Sequence, residues 1–145
     1  MAFIPKEAMW YLAQLVIEIT VEDDPRNVVH VNYMLIQASS PEEAYEKSLR
    51  LGAEHESIYL NPNGKKVQSS FKGLRNLTVV YDRLEDGAEL LYEEKIGMER
   101  GQMKGLVRDR EGLAIFSPIE KSQGPNYASG EVEREALRIV ERGKL

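Results

Sequence analysis

The run from Trp10 to Val21 constrains this chain more than any other segment. Its odd-numbered positions, Tyr11, Ala13, Leu15, Ile17, Ile19 and Val21, are all apolar, whereas Trp10, Leu12 and Val16 share the other side with Gln14, Glu18 and Thr20. Side chains of an extended strand alternate between two faces, so this pattern predicts a half-buried strand with one face fully apolar. Such a strand needs a covering layer on that face and hydrogen-bonding neighbours along its edges. Val28 to Ala38 repeats the theme, with Val29, Val31, Tyr33 and Leu35 on one face and His30, Asn32 and Met34 on the other. Between the two lies Glu22-Asp23-Asp24-Pro25-Arg26-Asn27, a polar connection rich in turn formers, and the whole predicts a long antiparallel hairpin.

The chain then changes period. In Ser40-Pro41-Glu42-Glu43 a serine cap, a proline at the first helical position and a glutamate at the third can satisfy amides that a first helical turn leaves free. Ala44, Tyr45, Ser48, Leu49 and Leu51 supply a narrow apolar stripe. Gly52 loosens or ends the helix, with continuation to about His55 as the alternative. Ser57 to Asn61 predicts a short strand stopped by a turn at Asn61-Pro62-Asn63-Gly64. Lys65 to Phe71 and Leu77 to Asp82 predict two strands around Gly73, and Ala88 to Glu94 alternates like another. The order β-β-α followed by three or four further β elements is that of an α+β fold. We expect an antiparallel sheet of about five to six strands with one helix packed on a face.

The last third differs. Gly97, Gly101 and Gly105 weaken any helix in that polar stretch, and Leu113 to Phe116 predicts one more short strand. Ser117 to Gly130, with Pro118, Gly124 and Pro125, is expected to be an extended linker. It leads to a C-terminal amphipathic helix over Glu131 to Arg142, whose apolar side carries Val132, Ala136, Leu137, Ile139 and Val140. A helix this short is marginal alone, so its stripe must pack on the body, a neighbouring subunit or a protein partner, and Val132, Ala136, Ile139 and Val140 are the expected contact residues of an oligomer, a dimer in the simplest case. The expected organisation is a compact α+β domain over residues 1–95 and an extension over 96–145.

Composition narrows the function classes. An apolar share of 42% with 30% charged residues is a soluble globular balance. Nineteen basic against 24 acidic residues leave a net charge of -5, a poor generic match for nucleic acid or anionic lipid. The absence of cysteine excludes disulfides, thiolate metal sites and cysteine nucleophiles, and it fits a reducing cytoplasm. The apolar run Met9 to Ile17 is too short to cross a bilayer, and Glu22-Asp23-Asp24 follows it where a secretory cleavage site would stand, so neither membrane nor export is expected.

Several segments carry a resemblance: Trp10-Tyr11-Leu12-Ala13, Asp24-Pro25-Arg26-Asn27-Val28-Val29-His30, Ser40-Pro41-Glu42-Glu43-Ala44-Tyr45, Tyr59-Leu60-Asn61-Pro62-Asn63-Gly64-Lys65 and Asp86-Gly87-Ala88-Glu89-Leu90. Together they resemble the bacterial domain-of-unknown-function family 4288, over roughly residues 9–95. The resemblance implies a compact bacterial domain and brings no catalytic residues with it.

Chemistry-bearing motifs are sparse. His30 and His55 are the only histidines, and no ligand spacing connects them. A metal-assisted hydrolase using His30 and nearby acids is therefore the third-ranked reading, and no catalytic residue, metal or cofactor is assigned. The acids Glu22-Asp23-Asp24 match a solvated turn better than a cation site. More informative is the segment from Ser57 to Tyr81, which holds Lys65, Lys66, Lys72 and Arg75 and no acid, whereas Asp82 to Glu94 is strongly acidic. Basic strands interleaved with aromatics can meet phosphates and stack bases, so nucleic-acid binding by the 57–81 hairpin is the second-ranked reading. Cross-strand pairing of the two oppositely charged segments is the preferred account. Trp10, Lys65, Lys66, Lys72 and Arg75 are the candidate binding residues. The first-ranked function is a non-enzymatic protein-interaction or small-ligand binding module that self-associates.

Overall fold

The computed structural model describes residues 9–117 and 123–129. The expected C-terminal helix, with Val132, Ala136, Ile139 and Val140, lies outside the described residues. The chain divides into two compact units, one of residues 1–91 with 124–145 and the other of residues 92–123.

The first unit is built on β1 (Trp10–Val21), β2 (Val28–Gln37), α1 (Pro41–Glu54), β3 (Ser57–Leu60) and β4 (Lys66–Val79). The strands form one four-stranded sheet in the order β2-β1-β4-β3, with every neighbouring pair antiparallel. The α+β class and the antiparallel sheet are therefore as expected, but the strand count is four rather than five or six. Two features account for the difference. The strands expected on either side of Gly73 are one continuous strand, and Ala88 to Glu94 and Leu113 to Phe116 are not strands. Residues 88–94 carry three glutamates, which are depleted in strands, and no neighbouring edge among the described residues pairs with them, and Leu113 to Phe116 closes on itself as a turn, the Phe116 amide donating to the Leu113 carbonyl at 2.9 Å.

The alternation of β1 works as expected. Tyr11, Ala13, Leu15, Ile17, Ile19 and Val21 are all buried and form the core with Ile36, Ala38, Ala44 and Val67. Helix α1 covers this face. Ser40 caps it, its hydroxyl accepting from the Glu43 amide at 3.1 Å, while the Glu43 carboxylate accepts from the Ser39 amide at 3.2 Å. The helix runs two residues past Gly52, and His55 caps its end, donating its amide to the Gly52 carbonyl. Its buried positions are Ala44, Ser48 and Gly52, spaced one turn apart, and Tyr45 is exposed. Small residues there let the helix lie close to the sheet: a Cβ on Gly52 would stand 2.5 Å from the Phe71 ring.

The pairings on the two sides of β1 differ. β1 and β2 pair without interruption, whereas the β1–β4 register shifts twice, between Gln14 and Leu15 and between Val16 and Ile17. Gln14 lies opposite Asn76 and Leu15 opposite Leu74, leaving Arg75 as an extra residue; Val16 lies opposite Gly73 and Ile17 opposite Phe71, leaving Lys72. These are β-bulges, which insert an unpaired residue and bend the strand. Gly73 between them has φ 134, a conformation that a side chain would oppose.

Residues 124–129, expected as part of a linker, lie against this unit. Pro125 is buried, the Asn61 side-chain amide donates to the Asn126 carbonyl at 3.0 Å, and the Tyr59 hydroxyl donates to the Tyr127 carbonyl. The Tyr127 ring stands edge-on to His30, with centroids 5.3 Å apart.

The second unit holds a short helix, α2 (Arg100–Leu106), and a single 3-10 turn at Arg110–Gly112. The helix forms despite Gly101 and Gly105, its start supported by the Gln102 side chain, which accepts from the Glu99 amide at 3.1 Å. The Arg110 guanidinium lies 3.9 Å over the Phe116 ring.

Candidate functional site: the open sheet face and the β2 edge

Directly opposed residues of an antiparallel pair point to the same side. The register therefore places Val29, Val31, Tyr33 and Leu35 of β2 beside Glu18, Val16, Gln14 and Leu12 of β1, on the face away from α1. The apolar row of β2 thus lies on the open face, and Val28, Met34 and Ile36 are the β2 residues that join the core. Val29, Tyr33 and Leu35 remain 53%, 51% and 42% exposed. On the far edge Ile58 and Leu60, opposite Gln68 and Lys66, extend the same face and are exposed as well. Trp10 stands at one end of this face, half-buried and opposite Gln37.

The bulges put polar chemistry in the middle of it. Arg75 reaches over β1, donating Nε–H to the oxygen of buried Gln14 at 2.7 Å and a second N–H to the Tyr33 hydroxyl. Its guanidinium also lies 5.7 Å from the centre of the Tyr33 ring. Lys72 meets Glu18 at 3.4 Å, and Asn27 donates to the same carboxylate at 2.8 Å. The Asn27 hydrogen bond first and then Lys72 hold the Glu18 carboxyl below its ordinary value. At the end of the sheet Lys65 pairs with Asp23 at 2.6 Å, and that partner raises the lysine's pKa. Lys66 is exposed at the start of β4.

The four bases singled out in the sequence are therefore not one patch. Lys65 and Lys66 sit at the turn, and Lys72 and Arg75 lie six and more residues along β4, roughly 20 Å away at strand rise. Their partners also differ from those expected: the acids are Glu18 and Asp23 of the first hairpin, and residues 82–94 form no strand to oppose them. His30 faces the α1 side of the sheet against Tyr127, and His55 ends the helix, so the two histidines occupy separate places. Among the described residues no three His, Cys, Asp or Glu side chains converge as a metal-binding group.

Sequence reasoning overlooked the outer edge of β2. The Ala38 amide donates to the Met9 carbonyl at 2.9 Å, so even-numbered residues of this strand direct their backbone groups at β1. By the same alternation, Val29, Val31, Tyr33, Leu35 and Gln37 direct theirs outward, and the Gln37 carbonyl accepts from Lys47 Nζ at 3.0 Å. Among the described residues no backbone partner reaches the other four. The signal was present: the ten residues of β2 contain no charge, no proline and no glycine, the devices that usually blunt an edge strand.

A four-stranded antiparallel sheet covered by one helix, with an outer strand whose outward backbone groups meet no backbone partner among the described residues, defines a small α+β domain. The chain belongs to the family described as a domain of unknown function (DUF4288), whose profile matches residues 10–92, from the start of β1 past the end of the sheet. No curated protein and no solved structure matches it significantly. Among the described residues no helix is long and apolar enough to cross a membrane.

Proposed function

We propose that this chain is a non-enzymatic protein-interaction module that works by strand addition, an extended segment pairing with the outer edge of β2. The carrying observation is the coincidence on one strand of outward backbone groups and outward apolar side chains. Val29, Val31, Tyr33 and Leu35 offer N–H and C=O groups in the plane of the sheet and apolar side chains on its open face. In strand addition the main chain supplies hydrogen bonds and alternate side chains supply selectivity. The bases of β4 support nucleic-acid binding less well, because Lys65 and Lys72 already face carboxylates and Arg75 is turned onto Gln14 and Tyr33. The absence of cysteine suits work in a bacterial cytoplasm.

Amide hydrogen exchange of the full chain tests this, read at Val29, Val31, Tyr33 and Leu35 from dilute to concentrated protein and again in extract of the producing cells. We expect fast exchange in dilute protein and slowing by about tenfold or more once a partner is seated. Unchanged exchange in every condition overturns the reading.

A further inference from the structure

We infer that the occupant of the β2 edge is a second copy of this chain, paired antiparallel with β2 of the first about a two-fold axis at Asn32. The inference rests on the strand-addition reading and adds its partner and register. An isologous contact must be self-complementary, residue i meeting j while j meets i. With the axis at Asn32, Val29 meets Leu35 of the second copy and Val31 meets its Tyr33. All four outward residues are then paired, for about eight new main-chain hydrogen bonds. Moving the axis to Val31 brings Asn27 into the ladder and leaves one apolar pairing fewer. Moving it to Tyr33 brings in Gln37, whose carbonyl Lys47 already occupies.

Charge agrees with this choice. The net charge of -5 opposes association of two copies, yet β2 has no charged residue to bring into register with itself. At the ends of the strand Lys47, held at Gln37 by its hydrogen bond, comes opposite the neutral Asn27 of the second copy, so no two like charges are directly opposed along the pairing. On the open face the contact makes one apolar row of two β2 strands. On the helix side it sets Asn32 against its own copy, two amides that can hydrogen-bond reciprocally.

The absence of native cysteine makes the register readable. Asn32 directs its backbone at β1, so the two Asn32 residues form a non-hydrogen-bonded pair with Cα atoms about 4.5 Å apart, inside the range of about 4.4–6.8 Å that a disulfide spans. The two Val31 residues would lie about 8 Å apart, as would the two Tyr33 residues, too far to bridge. The experiment takes the full chain as wild type and as Asn32→Cys, Val31→Cys and Tyr33→Cys under a mild redox buffer, with light scattering for mass. We expect a wild-type dimer and a disulfide-linked dimer that accumulates for Asn32→Cys about tenfold or more over the other two. Val31→Pro, which removes an outward amide but none that faces β1, and Tyr33→Lys should both give monomers. Tyr33→Lys keeps the test sound if the proline variant fails to fold. Preferred cross-linking at Val31 or Tyr33 overturns the register. A wild type that stays monomeric while its β2 amides become protected in extract overturns the second copy and leaves strand addition standing. A dimer that survives both variants with unprotected β2 amides overturns both.

Discussion

Both faces of this sheet carry apolar side chains, more of them on the α1 face, and the two sets have different fates. On the α1 face, β1 contributes an unbroken apolar row and the helix contributes Ala44, Ser48 and Gly52, so the layers meet at close range. On the other face β2 supplies Val29, Val31, Tyr33 and Leu35, but β1 alternates apolar Leu12 and Val16 with Gln14 and Glu18, and the bulges of β4 add Arg75 and Lys72. The difference teaches that a face is buried by what its neighbours place beside it, not by the apolar count of one strand. It also separates residues that hold the fold from residues free to meet a partner.

The comparison breaks most readily at Leu15, fully buried at the centre of the closed face. Leu15→Ala should cost about 3–4 kcal/mol in denaturant unfolding, the range for a large-to-small change in a packed core. A cost below about 1 kcal/mol would mean that the helix layer is loose. On the open face the largest effect should come from Arg75→Ala, about 1–2 kcal/mol, because it strips the donor from the oxygen of buried Gln14. Gly52→Ala sharpens the contact between layers. It gains about 1 kcal/mol of helix propensity, but the new methyl meets the Phe71 ring, and we expect a net loss of about 1 kcal/mol by thermal melting.

A smaller effect is pH-dependent. The Glu43 carboxyl is held below its ordinary value, chiefly by the Ser39 side-chain hydrogen bond. A depressed carboxylate stabilises the fold above its unfolded pKa, near 4.5, and loses that contribution as pH falls through the lower folded value. Melting temperatures of wild type and Glu43→Gln should therefore converge as pH falls below about 4.5. Tyr33→Lys should cost the fold about 1 kcal/mol in monomeric conditions, because it takes the hydroxyl and the ring away from Arg75 and sets a second cation beside it. That variant divides the faces most sharply, since it is the one expected to abolish association.

The sequence was legible where structure is local. The alternation of β1, the first hairpin and the Ser40 cap each depend on a few adjacent residues and reappear in place. β4 was misjudged because Lys72 and Arg75 each break the period of two, and Gly73 between them resembles a turn although it stays in the strand opposite Val16. Lys72 and Arg75 stood out in the sequence by their charge, but their partners Glu18 and Gln14 come from a strand more than fifty positions earlier, and nothing local announces that pairing. The edge of β2 was missed for the opposite reason. Its signal is an absence, of charge and proline, which acquires meaning only when the strand order puts it outermost.

The return of residues 124–129 to the first unit has a consequence for the chain between. Because Asn126 and Tyr127 are pinned to Asn61, Tyr59 and His30, residues 92–123 are a closed loop rather than a tail. Closing a loop of about thirty residues costs about 3 kcal/mol of chain entropy beyond a constant, and the cost grows only with the logarithm of length. The contacts around Tyr127 must offset that cost, but they are nearly indifferent to what the loop contains. The excursion is thus a slot in which length and composition can change at little expense to the sheet, so diversity among relatives of this chain should collect there while the β2 edge stays as it is.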